Sequence, residues 1–505
     1  LASTACRWGR SLIPFLLSTC RYFSILPMTN HETYSSPLAT RYASPAMQQT
    51  FSYRGRSLVW RDLWIALAES SANLGLDISA EQIADLKEHR DDIDFDRVAE
   101  LERELRHDVM AHVHAYGEKA TKAMPIIHLG ATSCFVADGA DLVCMQRGLR
   151  LVRARLLGVI RALREFCLEQ AELPVLGFTH FQPAQPTTMG KRASLWLQDF
   201  LLDLENVEDA LERLPFRGVK GTTGTQASFF QLFNGDHAKV RKLDDDITQR
   251  MGFKNTIAVC GQTYPRKWDG VVLSAISSIG ASASKFATDI RLMAHRRELE
   301  EPFGESQIGS SAMPYKRNPM RSERICALSR YLLNLAPNAL ETASNQWLER
   351  TLDDSANRRI AIPESFLAVD AILLLVQDVS SGLVPYPRVI EQNLAQELPF
   401  MATETILMAC VQKGGDRQEL HEAIRVHSHK AAYRLKAEDG VNDLLERIKN
   451  DPVFAAVADD LDSLLEPSKF IGRAPNQVRE FMYEVVDPVL ESRADVRVPD
   501  GEISV

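Results

Sequence analysis

A chain of 505 residues is long enough for two or three domains and a large core. Charged residues at 25% and apolar residues at 45% are ordinary for a globular protein, and a formal net charge of −9 argues against one that coats nucleic acid. Eight scattered cysteines with no CxxC pair exclude a disulfide scaffold or a zinc ribbon, so the thiols read as reduced and the location as cytoplasmic. No run of 18 apolar residues occurs, "FLAVDAILLLV" is short and carries Asp370, and no membrane span is expected.

Residues 1–27 contain Arg7, Arg10 and Arg21 but no acid, and the first methionine is Met28. They read either as a mitochondrial presequence or, preferably, as translated sequence upstream of Met28. In both cases they stand outside the fold. "RHDVMAHVH" (106–114) supplies three histidines on a helical pattern, with His107 and His114 on one face and Asp108 and His112 on another. His112 lies about 140° around the helix from His107, so the three imidazoles do not converge and no metal is expected. "GATSC" (130–134) interrupts the pattern.

"LGFTHFQPAQPTT" (176–188) sets His180 in an irregular, proline-bounded stretch. An imidazole beside Thr179 and Gln182 can carry a proton near neutral pH, although a lone loop histidine is more often bonded to backbone. From Pro186 to Pro215 the apolar positions Ala193, Trp196, Phe200, Leu204, Val207, Leu211 and Leu214 fall on a heptad-type seam, predicting a helix of roughly 40 Å. "GVKGTTGT" (218–225) shares only glycine content with a phosphate-binding loop of Walker type. Trp268 to Glu301 predicts a second long helix, rich in Ser, Ala and Gly that let neighbouring helices approach closely.

"IGSSAMPYKRNPMRSER" (308–324) is the most unusual stretch. Gly309, Pro314 and Pro319 make 303–319 a loop between two helices, with Gly304 a hinge near its start. From Lys316 to Arg330 there are five basic residues and one acid, Glu323. A serine-bearing loop beside Lys316 and Asn318 suits an anion with several oxygens, the bland alternative being a solvated basic loop. The window 320–347 is helical but for Pro337, which predicts a kink. In "ERTLDDSANRRI" (349–360), Thr351 and Asp354 read as a capping box starting a helix near Leu352. Ser355 and Arg359 then share a face behind Arg350, a phosphate-like seat. The competing reading is a surface helix with an Asp354–Arg358 ion pair. "GLVPYPRV" (382–389) breaks the pattern again. The fold is therefore all-α, a bundle of unusually long helices, divided at 28–132, 133–385 and 386–505.

"GSSAMPYKRNP" resembles the signature GSSxMPxKxNP of the fumarase/aspartase superfamily. "RHDVMAHVH", "THFQPAQ", "GQTYPRK" and "RTLDDSANRR" narrow the resemblance to the adenylosuccinate lyase family of the animal type, from about Ser35 to near the C-terminus. The resemblance implies a three-domain fumarase/aspartase-like fold, a homotetramer whose active sites are each built from three subunits, and no cofactor. It also implies β-elimination of fumarate from a succinyl nucleotide. On that basis Ser310 would be the general base, His180 the general acid, and Lys316 and Asn318 the clamps of the dianion. Thr132, Ser133, Thr179 and Gln262 would hold the succinyl group. His107, also counted among the catalytic groups, and Asp108 resemble positions lining the purine, with Arg106 a further substrate contact. Arg41 and Tyr42, with Arg350, Ser355 and Arg359, resemble the phosphate site, and Arg324 a nucleotide-contacting arginine.

Two rivals share the loop. Argininosuccinate lyase or fumarase would not need Arg350 and Arg359, and a non-catalytic relative, as in lens crystallins, would not need Ser310, His180 and Lys316 intact.

Overall fold

The computed structural model describes residues 33–438 and 440–499, so the expectations for residues 1–27 lie outside the described residues. The frame consists of α1 (Tyr53–Asn73), α2 (Asp108–Lys119), α3 (Ser133–Glu169), α4 (Met189–Arg213), α5 (Lys267–His295), α6 (Met320–Leu335) and α7 (Asp354–Ser381). α3 packs on α1, α4 and α7, and α5 packs on α4, α6 and α7. Among the described residues the strands form three antiparallel two-stranded pieces, each only two residues per strand, with one isolated bridge between Phe216 and Thr256. The all-α expectation holds.

The seam predicted for α4 faces the core: Ala193, Trp196, Phe200, Leu204 and Val207 are buried. Trp196 and Phe200 both pack edge-on against Phe286 of α5, with centroids 5.3 and 6.4 Å away. The Trp196 indole, too large to bury with its N–H unmet, donates to Asp289 Oδ2 at 2.7 Å. The helix over 320–347 is interrupted at Ala336, because Pro337 has no N–H to continue the ladder.

α5 and α7 are long and apolar enough, by length and composition, to cross a membrane. Both instead lie largely buried within the bundle, and on α7 Asp370 is paired with Arg155 and accepts the Ser44 amide at 2.6 Å.

The directions of the helices define two ends. α3, of 37 residues, spans about 55 Å. Its last turn meets the start of α4 where Met189 and Gly190 donate to Leu173 and Gln170. α5 and α7 both start beside the N-terminus of α3, since Arg266 bridges Asp138 and Asp354 there. Both end at the other extreme, where Arg296 lies 4.8 Å from the Phe178 ring and Leu299–Glu300 pairs with Val384–Pro385. Residues 402–461 bury a smaller core of their own, including Ile406, Leu420 and Phe454, before Val478, Met482 and Val486 return to the main one.

Three local expectations are corrected. His107 does not share a helical face with His114, because it precedes α2 as its cap, with Nδ1 3.4 Å from the Met110 amide. The helix expected near Leu352 starts at Asp354, without a side-chain cap from Thr351. Asp354 pairs with Arg350 and Arg266 instead of Arg358, because its carboxylate is turned into the interior, where two guanidinium groups satisfy it.

Candidate active site

The near end of the bundle gathers residues from four distant segments. Thr132 and Ser133 open α3, where Thr132 supplies no side-chain cap. Ser133 Oγ is 3.3 Å from His107 Nε2, and Asp108, the first residue of α2, takes Arg359 NH2 at 3.2 Å. Gln262 is threaded between two chains: its amide donates to the Glu349 carbonyl at 2.9 Å, and its own carbonyl accepts from buried Arg217 at 2.9 Å. Cys134 Sγ lies 3.6 Å from Gln262 Oε1. Burial pushes this thiol up to about 11, so it is a neutral, weak donor. Arg350, Ser355 and Arg359 line the same cavity as Cys134 and Asp138, at the N-terminus of α7. Arg106, left-handed at φ 52°, ends the helix before His107 and is exposed.

This cluster suits an elongated polyanion. Helix N-termini at Ser133 and Asp354 add partial positive charge, and Arg350 and Arg359 add forks that match phosphate.

Thr179 and His180 are elsewhere. They stand on a hairpin, Phe178–Thr179 against Gln182–Pro183, at the far end of α3, so roughly 50 Å of helix separates His180 from Ser133 of the same chain. The hairpin tip is His180–Phe181, both left-handed, at φ 52° and 56°. Two-residue turns of this kind favour Asn-Gly, and a bulky residue at positive φ is strained by about 1 kcal/mol or more. The turn holds an exposed imidazole at its apex against that preference.

Ser310, Lys316 and Asn318 also lie at the far end, on the 301–319 loop. The loop is closed at its base: the buried Glu301 carboxylate accepts the amides of Arg321 and Ser322 at 2.9 Å each and the Ser322 hydroxyl at 2.8 Å. Burial pushes Glu301 above the usual carboxylate range despite these donors. Beyond the base the loop holds mainly itself. Asn318 Nδ2 donates to the Gly309 carbonyl at 2.8 Å, and Gly309 packs on the Lys316 carbonyl so closely that a Cβ would overlap it. Ser310 Oγ accepts the Met313 amide at 3.1 Å, and Lys316 has no carboxylate partner among the described residues. Tyr315 and Ile308 are exposed.

Arg41, Tyr42 and Arg324 form a third group beside this loop. The guanidinium groups of Arg41 and Arg324 lie 6.0 and 5.5 Å from the Tyr42 ring centroid, and one buried Arg324 nitrogen lacks a partner. Ser44, two residues on, meets Asp370, about 24 Å along α7 from Asp354. One chain therefore does not unite Arg41 and Tyr42 with Arg350, nor Ser310 and His180 with Ser133.

The site also contains residues that the sequence reading left without a role. Beneath Arg350 lies an array of buried ions: Arg266 forks onto Asp138 at 3.0 and 3.1 Å, and Arg358 meets Asp269 at 2.7 Å and Asp141 at 3.0 Å. Burial by itself would raise the Asp138 carboxyl, but Arg266 and Arg358 outweigh it and hold it below the usual range. Arg266 sat unread within "GQTYPRK", and Asp138 within an apolar helical pattern. A single chain's spacing carries no signal that links residues 138, 266 and 354.

Comparison with known proteins agrees with this geometry. A family described as Lyase matches residues 40–331, and Adenylosuccinate lyase C-terminus matches 399–481. The chain is 52% identical over 467 residues to the adenylosuccinate lyase of Saccharomyces cerevisiae, covering 92% of this chain and 97% of that one. It is 49% identical over 480 residues to that of Schistosoma mansoni, covering 95% and 100%. Among solved structures, 3-carboxy-cis,cis-muconate lactonizing enzyme from Pseudomonas putida superposes with a TM-score of 0.77 at 22% identity, over 87% of this chain and 96% of that one. A fumarate lyase from Mesorhizobium gives 0.74 at 22%, over 88% and 98%. These structures share the long-helix bundle, and the close sequence relatives narrow it: the chain belongs to the adenylosuccinate lyase family.

Proposed function

We propose that the protein cleaves adenylosuccinate to AMP and fumarate, and likewise splits the succinyl-carboxamide ribotide of purine synthesis, as a cytoplasmic homotetramer without a cofactor. The observation that carries the reading is the near-end cluster. Two arginines and Ser355 at a helix N-terminus stand beside His107, Asp108 and the Thr132–Ser133 turn, a seat for a phosphate, a purine and a carboxylate. A substrate without a phosphate would not need it.

The placement of the His180 hairpin and the Ser310 loop at the far end from Ser133 supports sites shared between subunits, and we read each site as built from three. One would supply Thr132, Ser133, Gln262, Arg350 and Arg359, another the His180 hairpin, and a third the Ser310 loop. In the reaction Ser310 Oγ takes the proton from the succinyl β-carbon, and that electron pair becomes the double bond of fumarate. The C–N bond breaks, and His180 protonates the departing nitrogen. The intermediate carries a dianionic aci-carboxylate, so its stabilisation by Lys316 and Asn318 is a large electrostatic contribution. Serine is a poor base in water. Loop closure would exclude water and let Lys316, which lacks a carboxylate partner, favour the alkoxide.

The test is ultraviolet absorbance of the purified protein with adenylosuccinate, fumarate being identified among the products and Ser310→Ala run alongside. Conversion that collapses in the variant supports both reaction and base. Conversion that survives in it keeps the reaction and moves the base. No conversion by an intact oligomer refutes the reading.

A further inference from the structure

The two arginines of the phosphate seat are held in different ways. The Arg359 side chain is 62% exposed and reaches Asp108, itself 37% exposed, at 3.2 Å. A phosphate can compete for such a solvated pair at little cost. Arg350 offers NH1 to both oxygens of Asp354, at 3.0 and 3.1 Å, and that carboxylate is fully buried. The same carboxylate accepts Arg266 Nε at 2.7 Å, and Arg266 forks onto Asp138. Its position as the first residue of α7 adds the favourable end of the helix dipole. A bound phosphate would not detach Arg350 from a carboxylate so enclosed, since that would leave a buried charge short of a partner.

The array below Arg350 consists of Arg56, Arg266, Arg350 and Arg358 against Asp138, Asp141, Asp269 and Asp354, joined by ion pairs of 2.7 to 3.1 Å. Its formal charge is zero, so it supplies direction more than field. The backbone is fixed as well: Glu349 accepts the Gln262 amide and packs directly on Gly261. With its chain and one nitrogen immobilised, Arg350 keeps Nε and NH2 uncommitted to any described acceptor.

We propose that Asp354 is a positioning residue for the phosphate end of the substrate, presenting Arg350 pre-oriented while Arg359 is the adaptable partner. The inference rests on the reading of Arg350 as a phosphate ligand. It predicts that Asp354 acts on one product and not on the other, because AMP carries the phosphate and fumarate does not.

The experiment measures product inhibition by AMP and by fumarate in the wild type, Asp354→Asn, Arg350→Ala and the double variant. In Asp354→Asn the AMP inhibition constant should rise about tenfold, the loss of one charge-assisted anchor, with fumarate within about twofold. In the Arg350→Ala background the same change should add little for AMP, because the group it positions is gone. Weakening of both products alike would mean a merely structural role and overturn the proposal. An unchanged AMP constant in Asp354→Asn, with Arg350→Ala impaired, would overturn the positioning and leave the phosphate reading intact. An unchanged constant in Arg350→Ala would remove the phosphate reading itself. Should Asp354→Asn not assemble, Arg266→Lys keeps the charge but loses the fork. It should show the same one-sided effect at about threefold, and no effect there would overturn the proposal equally.

Discussion

The 349–353 turn and the 303–319 loop both carry cations proposed to meet the substrate, yet they are built on opposite terms. Arg350 is anchored to a buried carboxylate that holds a second arginine, and the turn is stitched to Gln262 by the Glu349 carbonyl. Among the described residues Lys316 has no such partner, and Ser310 is tied only to the Met313 amide of its own loop. The loop is pinned at its base by Glu301 and Arg321 and held elsewhere mainly by Asn318 and the Gly309 contact. One region pays stability into the core; the other leaves Ser310 half-buried and Lys316 exposed. Recognition can be pre-arranged, whereas a base that must lose its water cannot be buried before the substrate arrives.

The comparison breaks most visibly at Ser310. Ser310→Ala should lower turnover by about 10²–10⁴, with the thermal unfolding midpoint unchanged. Near-normal turnover with an unaltered pH profile would show that the base is another group. Arg266→Leu is the converse. It strips Asp138 and Asp354 of a shared buried partner and should cost about 3–5 kcal/mol in chemical denaturation. A cost below about 1 kcal/mol would erase the contrast between the two regions.

His112 sharpens the picture of the near end. It is 1% exposed and bonded to Tyr53 Oη at 2.9 Å; burial first, and the Arg61 cation second, push its imidazole down from 6.5 to about 4. Above pH 6.5 the ring is neutral in both folded and unfolded chains. Between 6.5 and 4 only the unfolded chain takes the proton, so stability falls as pH falls, by up to about 3 kcal/mol in total. Denaturation of His112→Gln over the same range should show a shallower pH slope, and an identical slope would assign the acid sensitivity to other groups. Smallest of all is the stability effect of Arg359→Ala. Its exposed pair with Asp108 is worth about 0–1 kcal/mol, so folding should be nearly untouched while the substrate KM rises about tenfold. An unchanged KM would remove Arg359 from the seat.

Much of the frame was legible from apolar spacing. The seam of α4 appears as expected, α5 fills its predicted stretch only as far as His295 before Leu299–Glu300 turn to a strand, and Pro337 divides its helix as a residue without an N–H must. The length of α3 was not read, because Gly139, Gly148 and Gly158 and its many small residues blur the amphipathic stripe of a helix buried on nearly all sides. The start of α7 was misread for a related reason. Thr351 and Asp354 have the spacing of a capping box, but the carboxylate found stronger partners in Arg266 and Arg350. Local rules fail where a tertiary contact offers a charged group more than its neighbours in sequence can.

The proposed chemistry rests on local patterns, as the frame does. The glycine and prolines around Ser310, the histidine between prolines at 180, and the arginines flanking Ser355 are local patterns, set by backbone permissions and side-chain type. By itself the sequence determined the all-helical bundle and the glycine- and proline-bounded serine loop, and it set out the groups proposed for a phosphate and two carboxylates. Only the tertiary structure decided that those groups lie at opposite ends of a helix about 55 Å long, and that three buried aspartates and the half-buried Asp141 neutralise the arginines beneath the seat. Periodicity is a property of consecutive residues. Which end of a rod a side chain reaches, and which distant charge meets it there, depends on how the rods are packed.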